Sequence, residues 1–248
     1  MLAQVTSRTS PGPSQALARV AEGDWQDAAR ALDARGWAIL PSHLDGAQCD
    51  AVAALYDAGA GFRSQVFMAR HGYGQGEYSY FAYPLPPLVT ALRDALYPHL
   101  APIANVWHER MGIPARFPGD HAAFLQRCYD AGQRRPTPLL LKYKAGDFNC
   151  LHQDLYGEHV FPLQAAILLS APGRDFEGGE FILTEQRPRM QSRVEVVPLR
   201  QGDAVVFAVN SRPVHGTKGD YRVNMRHGVS TLRTGYRQTL GIIFHDAA

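Results

Sequence analysis

Cysteine is scarce in this chain of 248 residues, which has only Cys49, Cys128 and Cys150. Their odd number, and the lack of any CxxC or zinc-finger spacing, argue against a disulfide framework and a structural zinc site. Long apolar runs are also missing. No stretch reaches the roughly 18 residues a membrane-crossing helix needs, and the opening MLAQVTSRTSPGPSQ lacks the apolar centre of a secretory leader. A cytoplasmic location with no membrane partner is therefore expected. Charge of one sign is lacking too. A formal net charge of +2 does not by itself announce a nucleic-acid binder, although it leaves room for a local basic groove. What the chain does have is apolar material, 46% of its residues, enough to bury a full core.

The texture of the sequence changes once. Up to about Arg135 the apolar residues recur mostly at helical spacing, as in DWQDAARALDARG and LDGAQCDAVAALYDAG, with Ser42 and Asp45 as candidate N-caps of the latter. The exception is the aromatic, glycine-rich FMARHGYGQGEYSYFAYPLPP, which predicts a hairpin or ordered loop over residues 67–83. After AGQRRPTP come short β-type runs at regular intervals: LLLKYK, LQAAILLS, GEFILTE, RVEVVPL, DAVVFAV and RQTLGIIFH. That spacing predicts a sandwich or jelly roll. The organisation expected is a disordered tail at 1–15, a mainly helical region at 16–135 and a jelly-roll catalytic core at 136–248. The fold class is thus a mainly β core with α additions.

CLHQDLYGEH concentrates polar chemistry near the start of the β-rich half. In LKYKAGDFNCLHQD a β run reaches a Gly-Asp turn and a second run follows. His152 and Asp154, two residues apart, share one face of an extended chain. Two imidazoles and one carboxylate on one side of an octahedron suit an oxygen-activating iron(II), because the remaining positions stay open for cosubstrate and O2. A third ligand is then required, and His215 and His227 are both candidates. The same spacing occurs at His43 and Asp45, but that pair falls just before a helix, where Asp45 is more simply an N-cap. Cys150 is expected as a small neighbour on the His152 face, Glu158 and His159 as rim residues, and His245 as a satisfied histidine at the end of the barrel.

Downstream, RHGVSTLRTGYRQTLGIIF places Arg237 ten residues after His227. With HQD at 152–154 and the distal histidine, the chain resembles the Fe(II)/2-oxoglutarate-dependent dioxygenases, whose pattern is HxD, a distal His and a later Arg or Lys followed by x-Ser/Thr. The resemblance covers Leu139 to Phe244 and implies a double-stranded β-helix with Fe(II), 2-oxoglutarate and O2 as cofactors. It assigns His152, Asp154 and His227 to the metal, and Arg237, Thr239 and Tyr143 to 2-oxoglutarate. His215 is set aside as ligand because no arginine follows it at the right distance, and it remains a candidate substrate contact. Residues 210–226 then form an extended loop before the distal ligand. Physically, a carboxylate in a water-poor pocket needs a paired cation, and a guanidinium meets it with two parallel hydrogen bonds.

For the substrate, KYKAGDFNCLHQD resembles the AlkB-type alkylation-repair dioxygenases. The arrangement PVHG…YRVNMRHGVS…FHDA is similar to a bacterial oxygenase family associated with oxidative demethylation of damaged DNA. The resemblance implies alkylated DNA or RNA as partner, and with it an aromatic platform beside basic residues. Arg70, His71, Tyr73, Tyr78 and Tyr80 are the candidates. DFEGGEFILT resembles prolyl-hydroxylase-like members instead, implying hydroxylation of a protein or small molecule. A non-catalytic metal-binding jelly roll is the alternative from another class, and it expects Arg237 to be an ordinary surface arginine.

Overall fold

The computed structural model describes residues 13–59 and 61–248. Residues 1–12 of the expected disordered tail lie outside that range. Its last two residues belong instead to α1 (Ser14–Glu22), whose buried Ala16 and Val20 dock against a later helix, so that helical order begins earlier than composition suggests. There follow α2 (Trp25–Arg35), β1 (Trp37–Leu40), α3 (Gly46–Ala58), β2 (Phe62–Phe67), a short 3-10 turn at Met68–His71, β3 (Gly74–Gln75), β4 (Glu77–Phe81), α4 (Pro87–Arg110) and α5 (His121–Asp130). The remaining strands are β5 (Leu139–Lys144), β6 (Phe148–His152), β7 (Leu163–Leu168), β8 (Phe176–Gly178), β9 (Phe181–Gln186), β10 (Arg193–Val197), β11 (Ala204–Ala208), β12 (Ser211–Gly216), β13 (Gly219–Val229) and β14 (Leu232–Ile242).

The strands form two antiparallel sheets. One runs β1-β11-β7-β14-β5-β4-β2 with β8 added on β14, and the other runs β10-β9-β13-β6-β3 with β12 added on β13. This is the jelly roll expected. Strands from both sides of residue 135 share the larger sheet, because β1 pairs with β11 and β4 with β5. Residues 67–83 supply the 3-10 turn, β3 and β4, with β4 paired antiparallel to β2.

Strand parity explains why the larger sheet has two different faces. Leu163, Ala165, Ile167, Leu240 and Ile242 pack with Leu92, Leu96, Leu100 and Ala104 of α4 in the main apolar core. The alternate positions Tyr143, Ala166, Leu168 and Phe207 meet Phe181, Leu183 and Val229 of the second sheet inside the barrel. Being covered on both sides, β7 is buried at every position. The helix caps follow local rules: Asp45 and Gln48 form a reciprocal capping box at the start of α3. Ser42 is not a cap. It sits at φ 52° and donates its N–H to Asp203.

The expected extended loop at 210–226 is corrected by the structure. Ser211–Gly216 and Gly219–Val229 pair as a β-hairpin that widens the second sheet. Its anchor is Arg212, whose guanidinium is buried against Glu185 and donates to the carbonyls of Asp33 and Ala34. Val223 and Met225 bury into the main core from the same hairpin.

A second buried ion pair closes the chain end onto α4. Arg93 lies 2.7 Å from Asp246 and also donates to the Ile243 carbonyl, while Tyr83 donates to the other Asp246 oxygen. Removing one partner of a buried, hydrogen-bonded pair typically costs about 3–5 kcal/mol. Asp246→Ala is therefore expected to lower the unfolding free energy by about that amount in a urea titration; a loss below about 1 kcal/mol would show that this tether contributes little.

Candidate metal and cosubstrate site

The two histidines of the site come from neighbouring strands. β6 and β13 pair antiparallel with His152 directly opposite His227, and both rings point into the barrel with centroids 4.2 Å apart. Asp154, just past the end of β6, reaches back so that its two oxygens lie 3.5 Å from His152 Nε2 and 3.3 Å from His227 Nε2. All three donor atoms lie within 4.8 Å of one another, the single such grouping among the described residues. Bonds of about 2.1 Å meeting at right angles place neighbouring donors about 3 Å apart, so small adjustments bring this set around one ion.

The surroundings tune these donors. The Cys150 carbonyl accepts from His152 Nδ1 at 2.8 Å, which leaves Nε2 free to ligate. Burial and the neighbouring His152 lower the pKa of His227 and favour its neutral, ligating form. For Asp154, burial would push the carboxyl up. The hydrogen bond and charge of His227, the charge of His152 and the Gln164 amide outweigh burial and hold it below the usual carboxylate range. Phe181 and Phe207 pack against the His227 ring.

Deeper in the same cavity, of about 370 Å3, lie Arg237, Thr239 and Tyr143. Arg237 is 2% exposed, its guanidinium donates a hydrogen bond to Thr239 Oγ1 at 2.7 Å, and its Nε has no hydrogen-bond partner. No carboxylate lies within ion-pair distance of it among the described residues. Burial accordingly lowers its pKa, opposed by Tyr143 and the charge of Glu180. Tyr143 is its cross-strand partner on β5. Burial pushes the Tyr143 phenol up to about 12, leaving a neutral hydroxyl donor. Gly179 makes room for the guanidinium stem. At φ +61°, a Cβ there would meet Leu232 Cδ1 at 2.5 Å and Arg237 Cδ at 3.1 Å. A buried guanidinium without a carboxylate leaves a desolvated charge uncompensated, and this one faces a cavity. The surface arginine expected of a non-catalytic module is not what the fold contains.

The residues considered for substrate divide. Tyr73, Tyr78 and Tyr80 line the cavity along with Leu151 and Tyr156. Tyr73 is 50% exposed and stacks on His71 at 5.3 Å, and Arg70 lies over the Phe67 ring at 4.7 Å; neither His71 nor Arg70 lines the cavity. His215 is corrected: it sits on β12, outside the cavity lining, paired with Asp220 at 2.9 Å. Cys150 is exposed and lines the cavity, and His245 is buried with Nδ1 accepting from the Phe161 N–H. Glu158 is exposed, and His159 is tied through its backbone to Gln133.

Sequence reasoning missed two residues that touch Asp154. Gln164 donates from Nε2 to Asp154 Oδ2 at 2.8 Å, and Tyr156 donates to Oδ1 at 2.7 Å. A lone amide in the apolar run LQAAILLS was a usable signal for Gln164, since a polar residue on a doubly covered strand needs a partner. Tyr156 carries no comparable signal.

Residues 76–247 match the profile of the Oxygenase-NA family, described as an oxygenase catalysing oxidative methylation of damaged DNA. The chain is 50% identical over 170 residues to an uncharacterized protein of Mycobacterium tuberculosis, covering 68% of this chain and 73% of that one. Among solved structures, an oxidoreductase of the 2OG-Fe(II) oxygenase family from Burkholderia pseudomallei is similar at TM-score 0.53 and 18% identity, covering 92% of this chain and 94% of the other. A prolyl 4-hydroxylase from Phytophthora capsici is similar at TM-score 0.52 and 16% identity, with 98% and 68% covered. At these identities the structural likeness establishes the fold.

The unpaired guanidinium generates a prediction with a sign. Replacing Arg237 by Met removes an uncompensated buried charge, so the metal-free protein in anion-poor buffer should unfold at the same temperature as the parent or higher. A drop of several degrees in a calorimetric scan would mean instead that Arg237 holds the fold together.

Proposed function

The chain belongs to the Oxygenase-NA family and has the fold of the Fe(II)/2-oxoglutarate-dependent oxygenases, and on that premise we propose that it hydroxylates N-methyl carbons of alkylated nucleic-acid bases. Its cofactors are Fe(II), 2-oxoglutarate and O2. The observation that carries the site assignment is that Arg237, a buried cation with no carboxylate at ion-pair distance among the described residues, shares a cavity with a His-Asp-His cluster.

His152, Asp154 and His227 would hold the iron from one side. Arg237 would take the distal carboxylate of 2-oxoglutarate through paired charge-assisted hydrogen bonds, with the hydroxyls of Thr239 and Tyr143 as further donors. Iron and 2-oxoglutarate together supply the oxidising chemistry that turns a substrate C–H into C–OH while O2 is consumed and succinate and CO2 are formed. Phe181, Phe207 and Val229 line that cavity and limit the water beside the reacting groups. On an N-methyl group the product carbinolamine releases formaldehyde and restores the base.

Support for a base as substrate comes from the mouth. The half-exposed Tyr73 offers a ring face to a base displaced from its stack, with Tyr78 and the buried Tyr80 behind it in the cavity wall; such displacement costs least for damaged or single-stranded bases. Arg63, 4.4 Å over the Tyr80 ring, and Arg70, 4.7 Å over the Phe67 ring, are cations near the aromatic wall that a phosphate backbone could use. A cytoplasmic location belongs to the same proposal, supported by three free cysteines, one of them exposed. Among the described residues no helix is long and apolar enough to cross a membrane.

The test is stoichiometric. Iron-loaded protein given 2-oxoglutarate and air should form succinate and formaldehyde in step when methylated single-stranded DNA is present, and little of either with unmethylated DNA. Succinate formation that responds to a prolyl peptide and ignores methylated DNA would replace the nucleic-acid substrate with a protein one.

A further inference from the structure

The carboxylate of Asp154 is held by two neutral donors from opposite directions. Tyr156 donates its phenol to Oδ1 at 2.7 Å, and Gln164 donates its amide to Oδ2 at 2.8 Å. Each donor is held in turn. Tyr80 donates to the Tyr156 oxygen at 3.2 Å, and the Tyr156 ring packs edge-on against Tyr80. The backbone around Tyr156 is tied down by Gln133, whose Nε2 reaches the carbonyls of Tyr156 at 3.0 Å and His159 at 3.1 Å while its Oε1 accepts from the His159 N–H at 2.7 Å. Gly157 permits this approach: at φ +99°, a Cβ would lie 2.5 Å from Gln133 Cδ. Gln164 is fixed by β7, buried at every position.

We propose that Tyr156 and Gln164 are positioning residues that clamp Asp154, setting the plane of its carboxylate so that it meets the metal together with His152 and His227. The inference rests on the reading of those three residues as a metal centre. Without the two donors, a carboxylate at the end of a strand is free to rotate about its side chain and swing toward His152 or His227 alone. With them, each oxygen has a donor before metal arrives, so binding orders little. The clamp also joins two parts of the site. The chain Tyr80–Tyr156–Asp154 runs from the aromatic wall that faces substrate to the metal-binding carboxylate, so the wall and the metal centre share one hydrogen-bonded support. Outer partners of metal ligands are typically worth 10–100-fold in metal affinity, and the same range is expected for each donor here.

The experiment is a competition titration of metal-free full-length protein with Co2+, read by the visible Co2+ spectrum, for the parent, Tyr156→Phe, Gln164→Met and His227→Ala. The parent should bind one Co2+ at the centre and His227→Ala should lose it. Tyr156→Phe and Gln164→Met should each bind about 10–100-fold more weakly, with shifted d–d bands and a metal-free unfolding midpoint somewhat below the parent, because each leaves a buried carboxylate oxygen without its donor. Both substitutions keep volume and packing; if Tyr156→Phe does not fold, Gln164→Met carries the test alone. Affinities within threefold of the parent with unchanged spectra would overturn the clamp and leave the metal centre standing. A parent that binds no Co2+ would overturn the metal centre and the clamp with it.

Discussion

The pairing register of β6 and β13 is the constraint on which the site depends. His227 lies opposite His152, and because side chains alternate faces along a strand, a slip of one residue would turn one imidazole out of the barrel. The register is held from both sides of β13. β9 pairs with it continuously from Asn224 to Val229, and Gly228 lies so close to β6 that a Cβ would meet the Asn149 carbonyl at 2.7 Å. The hairpin of β12 and β13, anchored by the buried Arg212–Glu185 pair, carries the same register outward. What looks like a peripheral extension thus steadies the strand that delivers the distal histidine.

The larger sheet does the corresponding work for the cosubstrate end. Its outer face packs on α4 and leaves no freedom to β14, whose inward positions Arg237 and Thr239 are two apart and whose cross-strand neighbour is Tyr143. The result is a cavity whose buried end is lined by hydroxyls and one guanidinium, with a His-Asp-His cluster beside them and the half-exposed Tyr73 at the surface. An uncompensated guanidinium there is unfavourable for folding alone, and buried charge of this sort is retained where a ligand completes it. The fold holds that cost in place through the tight packing on either side of β14.

How far the sequence was legible follows from the range of the interactions involved. His152 and Asp154 were legible as a pair because their spacing in an extended chain puts them on one face, whereas His227, Arg237 and Thr239 became legible only through the family pattern, since β13 and β14 lie in different sheets. The β runs after residue 136 showed themselves through composition and turn residues. β1 did not: WAIL is too short to distinguish from helical sequence, and its strand identity comes from pairing with β11, more than 160 residues away in the chain. The hairpin at 211–229 was hidden by Pro213, Gly216 and Gly219, which suggest a loop, although the alternation of Val223 and Met225 with exposed neighbours was a strand signal. Tyr156 and Gln133 were invisible because their contacts join a loop, a helix end and the C-terminus, and no local pattern encodes such contacts. His215, set aside as a ligand and kept as a candidate substrate contact, lies on β12 outside the cavity lining and pairs with Asp220.

The most direct test of the account is a crystal structure of the protein grown without oxygen in Mn2+ and 2-oxoglutarate. One metal ion should be bound by His152, Asp154 and His227, with a 2-oxoglutarate whose distal carboxylate lies within hydrogen-bond distance of the Arg237 guanidinium and the Thr239 hydroxyl. A metal bound elsewhere, or a cosubstrate that leaves Arg237 without an anionic partner, would contradict it.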